Sequence, residues 1–226
     1  PGLPRFDANG NELVLKLNKS LYGLKQAGRE WNKLLVSFLK SFGFIQSVID
    51  VCLFMYSCGK LILWLLVWVD DLIIVDSDTP LRTRFIKELT GRFPTEDRGE
   101  LTYVVGVRVT RDRTKRTLIM SQELYISDLL NRYDTLVNNS RRYTSPMDDK
   151  IKLSADFSPA DGSPEAEDMS SKRHDYMAIV GAILWLSNVT RFELAFAASQ
   201  LARHVSNPGE IHFEAAVRVL IYLKHS

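Results

Sequence analysis

The chain has 226 residues, of which 46% are hydrophobic and 10% aromatic, and a formal net charge of +2. That composition supports a sizeable core and excludes a disordered chain, which is far more polar. The charge is uneven: seven acids against two lysines between Asp148 and Asp168 give −5 there and leave +7 on the rest, a balance compatible with a polyanionic partner.

Residues 12–17 (ELVLKL) alternate apolar and polar, which predicts a short strand. Ser20 is a candidate cap for a helix over residues 20–42, because Trp31, Leu34, Leu35, Phe38, Leu39 and Phe42 recur at helical spacing. Gly43 ends it. Lys25, Arg29 and Lys33 share another face of that helix, and a solvated surface is the ordinary meaning of such a row. Residues 53–56 and 61–69 are strand-like and joined by a Gly-containing turn, and residues 72–75 form a further strand. Asp70 and Asp71 therefore fall at the turn of a second tight hairpin.

Pro80 predicts the first turn of a helix carrying Leu81, Phe85, Ile86 and Leu89, closed by Gly91 and Pro94. Residues 101–109 and 118–120 read as strands around a charged turn, and Ser121 caps a helix to about Tyr133. Residues 135–171 are rich in Ser, Asp, Asn and Pro and read as an irregular acidic linker. Helical periodicity returns around Val180–Ser187, Leu194–Leu201 and Phe213–Ile221. The expected fold class is α+β, an antiparallel sheet with packed helices followed by a helical unit, divided as residues 1–134, 135–171 and 172–226.

Several chemistries are set aside. Cys52 and Cys58 match no zinc or redox spacing and are expected to be half-buried free thiols in a reducing compartment. The four histidines show no ligand spacing and are expected to be surface or satisfied structural residues. Trp64, Trp68 and Trp185 lie in apolar segments and are expected in the core. The apolar run over residues 61–75 falls short of the roughly 20 residues that span a bilayer. Its two central aspartates each add about 2.5–3.5 kcal/mol to insertion. The chain opens Pro-Gly-Leu-Pro-Arg, without an initiator Met, signal segment or presequence, as an excised segment would.

The adjacent aspartates carry the chemistry. Like charges side by side next to an apolar run repel and lose hydration. A divalent cation removes both penalties, and Mg²⁺ takes one or two carboxylates plus water and phosphate oxygens. A bare Asp-Asp turn is otherwise an ordinary solvent-facing turn.

LNKSLYGLKQAGREW (residues 17–31), the set Gly43, Phe44, Cys52 and Phe54, and LLVWVDDLIIV (residues 65–75) follow one another in order. GELTYVVGVRVTRD (99–112), LIMSQELYISDLL (118–130), YMAIVGAILWLSNVTR (176–191) and SNPGEIHFEAAVRVLIYLKHS (206–226) complete the series. Together they resemble the reverse transcriptase of copia-type LTR retrotransposons across essentially the whole chain.

The resemblance implies a partial palm with primer-grip strands, followed by a thumb- or connection-like helical segment. It implies two-metal nucleotidyl transfer with Mg²⁺, or Mn²⁺, on Asp70 and Asp71, Asp70 being the stronger ligand. Gly23, Lys25, Gln26 and Arg29 would meet template or nucleotide, Trp68 the primer end, and the strand pair around Gly106 the primer. The implied partners are an RNA template, a DNA primer, deoxynucleoside triphosphates and the rest of a Pol polyprotein, with ribonuclease H downstream, in an intracellular particle or the nucleus.

Departures from the family pattern are Trp68 for Tyr, Gly28 for Pro, Glu96 for Lys, and Phe192-Glu193 for Pro-Asp. The third catalytic aspartate of the pattern belongs upstream of Pro1. The alternative expectation is therefore a degenerate or repurposed retroelement fragment that binds nucleic acid without catalysis.

Overall fold

The computed structural model describes residues 6, 9–14, 16–21, 23–138 and 141–226. Contacts divide the chain into two compact units, one ending at Gly99 and the other beginning at Glu100.

The first unit contains helix α1 (Ala27–Phe42) and strands β1 (Ile45–Gln46), β2 (Leu53–Cys58), β3 (Leu61–Trp68) and β4 (Asp71–Asp76), followed by helix α2 (Thr79–Arg92). The four strands form one antiparallel sheet in the order β1-β2-β3-β4. Leu63, Leu65 and Val67 alternate along β3 onto one face and are buried there with Phe54 of β2. Leu35, Leu39 and Phe42 of α1 and Leu81, Phe85 and Leu89 of α2 cover that face. The Asp78 side chain accepts from the Leu81 N–H at 2.8 Å and Pro80 occupies the first turn, so α2 starts where the residue chemistry places it. Gly43, with φ 113°, closes α1 in the left-handed conformation.

The opposite face of the sheet corrects one expectation. Trp64 and Trp68 are 45% and 54% exposed, because they alternate with the buried residues of β3 and point away from α1 and α2. Three further expectations fail in this unit. The described residues of 12–17 contribute only an isolated bridge between Phe6 and Glu12, and α1 begins at Ala27 with no side-chain cap, so Ser20 does not cap it. Cys52 and Cys58 are free but exposed rather than half-buried.

The second unit opens with a three-stranded antiparallel sheet, β5 (Tyr103–Val104), β6 (Val107–Asp112) and β7 (Thr117–Ser121). Residues 101–109 are therefore not one strand. Val105 and Gly106, with φ 46° and 77°, fold them into a two-residue hairpin in which Val104 pairs with Val107. Helices α3 (Glu123–Arg132), α4 (Asp134–Val137), α5 (Pro164–Val189), α6 (Ala195–Ala202) and α7 (Glu210–Lys224) follow. Their core includes Tyr176, Ile179, Ile183, Leu186, Leu194, Ala197, Leu201, Ala216 and Leu220, all fully buried. The expected α+β class, with antiparallel sheets and packed helices, is borne out.

The acidic stretch is more ordered than its composition implies. Ser163 accepts from the Ala166 N–H, Pro164 takes the first turn, and Glu165 and Glu167 sit at the positive end of the helix dipole, so α5 begins at Pro164. Leu153 and Met169 join the helical core. Arg218 of α7 reaches Asp148 at 3.2 Å and stacks over Tyr143 at 4.1 Å, while Lys172 binds both Asp168 and Glu210.

Two of the histidines are structural in a specific way. His212 is fully buried; its Nδ1 accepts from the Gly209 N–H at 2.9 Å, so the proton sits on Nε2, which donates to the Ser154 carbonyl at 3.0 Å. A Cβ at position 209 would collide with the Phe157 carbonyl. His204, also buried, stacks on His212 at 4.0 Å between ring centres. Burial lowers both pKa values below the ordinary 6.5, helped by Arg203 at His204 and by His204 at His212.

Neutral rings are thus favoured in the fold, and the unfolded chain binds protons first as pH falls. The stabilisation is complete above about pH 6.5 and is lost as pH drops from there toward the lowered folded-state values. The melting temperature is expected to fall between pH 7 and pH 5, and less so in His204→Phe. An identical pH profile in that variant would contradict the assignment.

Candidate active site

Trp68 and Asp71 are paired across β3 and β4, leaving Val69 and Asp70 as a two-residue turn. Such a turn is short enough to place neighbouring carboxylates at one tip, where a straight strand would send them to opposite faces. Both aspartates are exposed. Among the described residues neither side chain is held by an ion pair or hydrogen bond. Asp76, at the far end of β4, is already engaged by Arg82 at 2.9 Å. No group of three His, Cys, Asp or Glu residues able to hold a metal forms among the described residues.

The turn has one long-range tether. The Trp31 indole N–H of α1 donates to the Val69 carbonyl at 2.9 Å. This bond brings the N-terminal part of α1 to the turn, and Arg29 belongs to that part. Lys25 and Gln26 lie just before it, both exposed, with Gln26 at the N-cap. Gly23, with φ 90°, occupies the preceding turn. Lys25 thus stands outside the helix, so the row Lys25, Arg29 and Lys33 is not one helical face. Lys33 pairs with Glu30 at 2.7 Å, and its hydrogen bond and charge hold the Glu30 carboxyl below its ordinary range.

Trp68 stands exposed directly across from Asp71. Gly106 lies in the second unit, at the tip of the β5–β6 hairpin. Trp31 is the residue that periodicity alone assigns to an apolar stripe and that proves to touch the turn. Its partner lies 38 positions away, and no local pattern links the two.

The donor set is chemically suited to a hard cation. Two carboxylates at an open turn offer oxygen ligands and leave the remaining positions to water or phosphate, the arrangement Mg²⁺ favours.

Comparison with known proteins bears on the whole chain. Residues 3–148 match the family described as reverse transcriptase (RNA-dependent DNA polymerase). A retrovirus-related Pol polyprotein from transposon TNT 1-94 of Nicotiana tabacum is 34% identical over 222 residues, 97% of this chain and 16% of that protein. The retrovirus-related Pol polyprotein from transposon RE1 of Arabidopsis thaliana is 36% identical over 218 residues, 96% of this chain and 14% of that protein. A putative transposon Ty5-1 protein of Saccharomyces cerevisiae is 27% identical over 212 residues, covering 94% of this chain and 65% of that protein. The chain thus spans about a sixth or less of the length of the two plant polyproteins. No solved structure matches it. On the family match and on 34% and 36% identity over 97% and 96% of its residues, the chain belongs to the reverse transcriptase family of copia-type retrotransposon Pol polyproteins.

Proposed function

We propose that the chain contributes the metal-binding turn of an RNA-directed DNA polymerase, with Asp70 as the principal ligand and Asp71 in support. The observation that carries this reading is the pair of unengaged carboxylates at the exposed β3–β4 turn of a chain that belongs to the reverse transcriptase family. Two Mg²⁺ ions, or Mn²⁺, bound there would supply activation of a 3′-hydroxyl and charge stabilisation of the leaving pyrophosphate.

The remaining roles are those that the family resemblance suggests. Lys25 and Gln26, just before α1, and Arg29, in its first turn, face the RNA template or the incoming deoxynucleoside triphosphate, and Gly23 allows close approach. Trp68, exposed across from Asp71, stacks against the primer end. The hairpin tip at Gly106 holds the DNA primer. In this reading residues 1–134 supply palm and primer grip, 135–171 connect, and 172–226 form the thumb- or connection-like segment. The third carboxylate comes from the upstream part of a Pol polyprotein, which also carries a downstream ribonuclease H domain.

The alternative, nucleic-acid binding without catalysis, is favoured by the departures from the family pattern at Trp68 and Glu96. RNA-templated primer extension in Mg²⁺ by the polyprotein that carries this chain separates the two. Extension is the expected result. Salt-sensitive binding of an RNA–DNA hybrid with no extension would favour the alternative, since phosphate contacts weaken with ionic strength. Absence of both would refute both.

A further inference from the structure

The β3–β4 turn is built against the preference of its own residue. Val69 has φ 55°, a left-handed conformation that β-branched residues rarely adopt and that Gly ordinarily fills at the first position of a two-residue hairpin turn. Asp70, the second turn residue, is not in that region. An interaction from outside the hairpin that selects this geometry over the alternatives open to a Val-Asp turn would offset the cost of the Val69 conformation.

The Trp31–Val69 bond is such an interaction. Trp31 is itself fixed: its ring meets Phe93 edge-on at 5.2 Å and 80°, and Phe93 meets Phe38 at 5.4 Å and 89°. Phe93 is buried, and Phe38 lies on α1, the helix anchored in the core by Leu35 and Leu39. The indole N–H is thus a donor on a rigid mount. Val69 is exposed, so water is an alternative donor to its carbonyl, and no buried group is left unsatisfied without Trp31. The bond does something other than satisfy a carbonyl. Because the peptide unit is planar, holding the Val69 carbonyl restrains the plane of the 69–70 peptide and with it the position of the Asp70 Cα.

We infer that Trp31 is a positioning residue for the Asp70–Asp71 pair, locking the strained turn in the orientation that presents both carboxylates to one cation. The inference rests on the metal-binding reading of that pair and adds to it the element that pre-organises the ligands. Displacement of ligands by even about 1 Å is enough to cost roughly 10²-fold in rate.

The test removes the donor and keeps the ring. Trp31→Phe retains an aromatic side chain against Phe93. As a second, shape-preserving change, benzothienylalanine at position 31 replaces the indole N–H by sulfur. Mn²⁺ is titrated into the 226-residue chain and free ion is followed by electron paramagnetic resonance, with Asp70→Asn alongside. Extension kinetics are measured in the polyprotein. Both Trp31 changes are expected to weaken Mn²⁺ binding at least threefold. They should lower kcat roughly tenfold to a hundredfold and leave KM for primer–template within about twofold.

Asp70→Asn should abolish the Mn²⁺ site. Wild-type Mn²⁺ binding and kcat in the benzothienylalanine chain, with the site lost in Asp70→Asn, would overturn the positioning role alone. Unchanged Mn²⁺ binding in Asp70→Asn would overturn the metal reading and the inference with it.

Discussion

Asp70→Asn in the polyprotein is expected to lower RNA-templated DNA synthesis by about 10³-fold or more. Asparagine has nearly the shape of aspartate and keeps one carbonyl oxygen, so the hairpin, whose turn is paired through Trp68 and Asp71, is expected to stay intact. What is lost is a full negative charge at the cation. Charge stabilisation at such a site is worth several kcal/mol, and about 1.36 kcal/mol corresponds to each factor of ten in rate.

Affinity for an RNA–DNA hybrid should change by no more than about twofold, or rise slightly, because a carboxylate repels phosphate and contributes nothing to counterion release. Asp71→Asn should cost less than Asp70→Asn. Single-turnover extension and filter binding on the same preparations check both statements. A larger loss at Asp71 would reverse the assigned order of the two ligands.

Phe85→Ala is expected to remove about 3–5 kcal/mol from the stability of the first unit. Phe85 is fully buried and its ring packs against Phe42 at 5.1 Å, Phe44 at 5.2 Å and Phe38 at 6.3 Å. These aromatics come from α1, the residue following its cap, and α2, so truncating Phe85 opens a cavity where the two helices meet the sheet. Neighbouring rings are too stiff to fill it. For a unit of about 100 residues each kcal/mol moves the melting temperature by about 4–8 °C, which gives a fall of roughly 12–40 °C. A fall of less than about 2 °C would mean that the ring cluster is not packed as described.

How much of this was legible in the sequence depended on whether the deciding interaction was local. The β3–β4 hairpin was readable because two aspartates interrupt an apolar run at a spacing that leaves a strand on either side. The start of α2 was readable from Pro80, and the structure adds the Asp78 side chain, which accepts from the Leu81 N–H. The helices carrying Ile183, Leu201 and Leu220 followed from periodicity, and all three residues are fully buried.

Failures came where partners were distant or missing. The alternation of residues 12–17 predicted a strand, but the described residues there gain only the Phe6–Glu12 bridge. Trp64 and Trp68 carry the composition of a core and lie on the uncovered face, a choice set by where α1 and α2 dock rather than by β3 itself. The acidic stretch looked irregular because its order depends on Arg218 and Lys172, which lie outside the acidic residues they hold. For the candidate site, the acids were visible and the tether was not: nothing in local pattern links Trp31 to Val69.

Localised cleavage tests whether Asp70 and Asp71 hold the catalytic cation. Fe²⁺ replaces Mg²⁺ on the polyprotein bound to primer–template, ascorbate and peroxide generate hydroxyl radicals at the metal, and backbone cuts are mapped by mass spectrometry. A cluster of cuts at the Val69–Asp70 turn and its flanking residues is expected, suppressed by excess Mg²⁺ and absent in Asp70→Asn. Cuts confined to other segments, or a turn cluster that persists in Asp70→Asn, would contradict that placement of the cation.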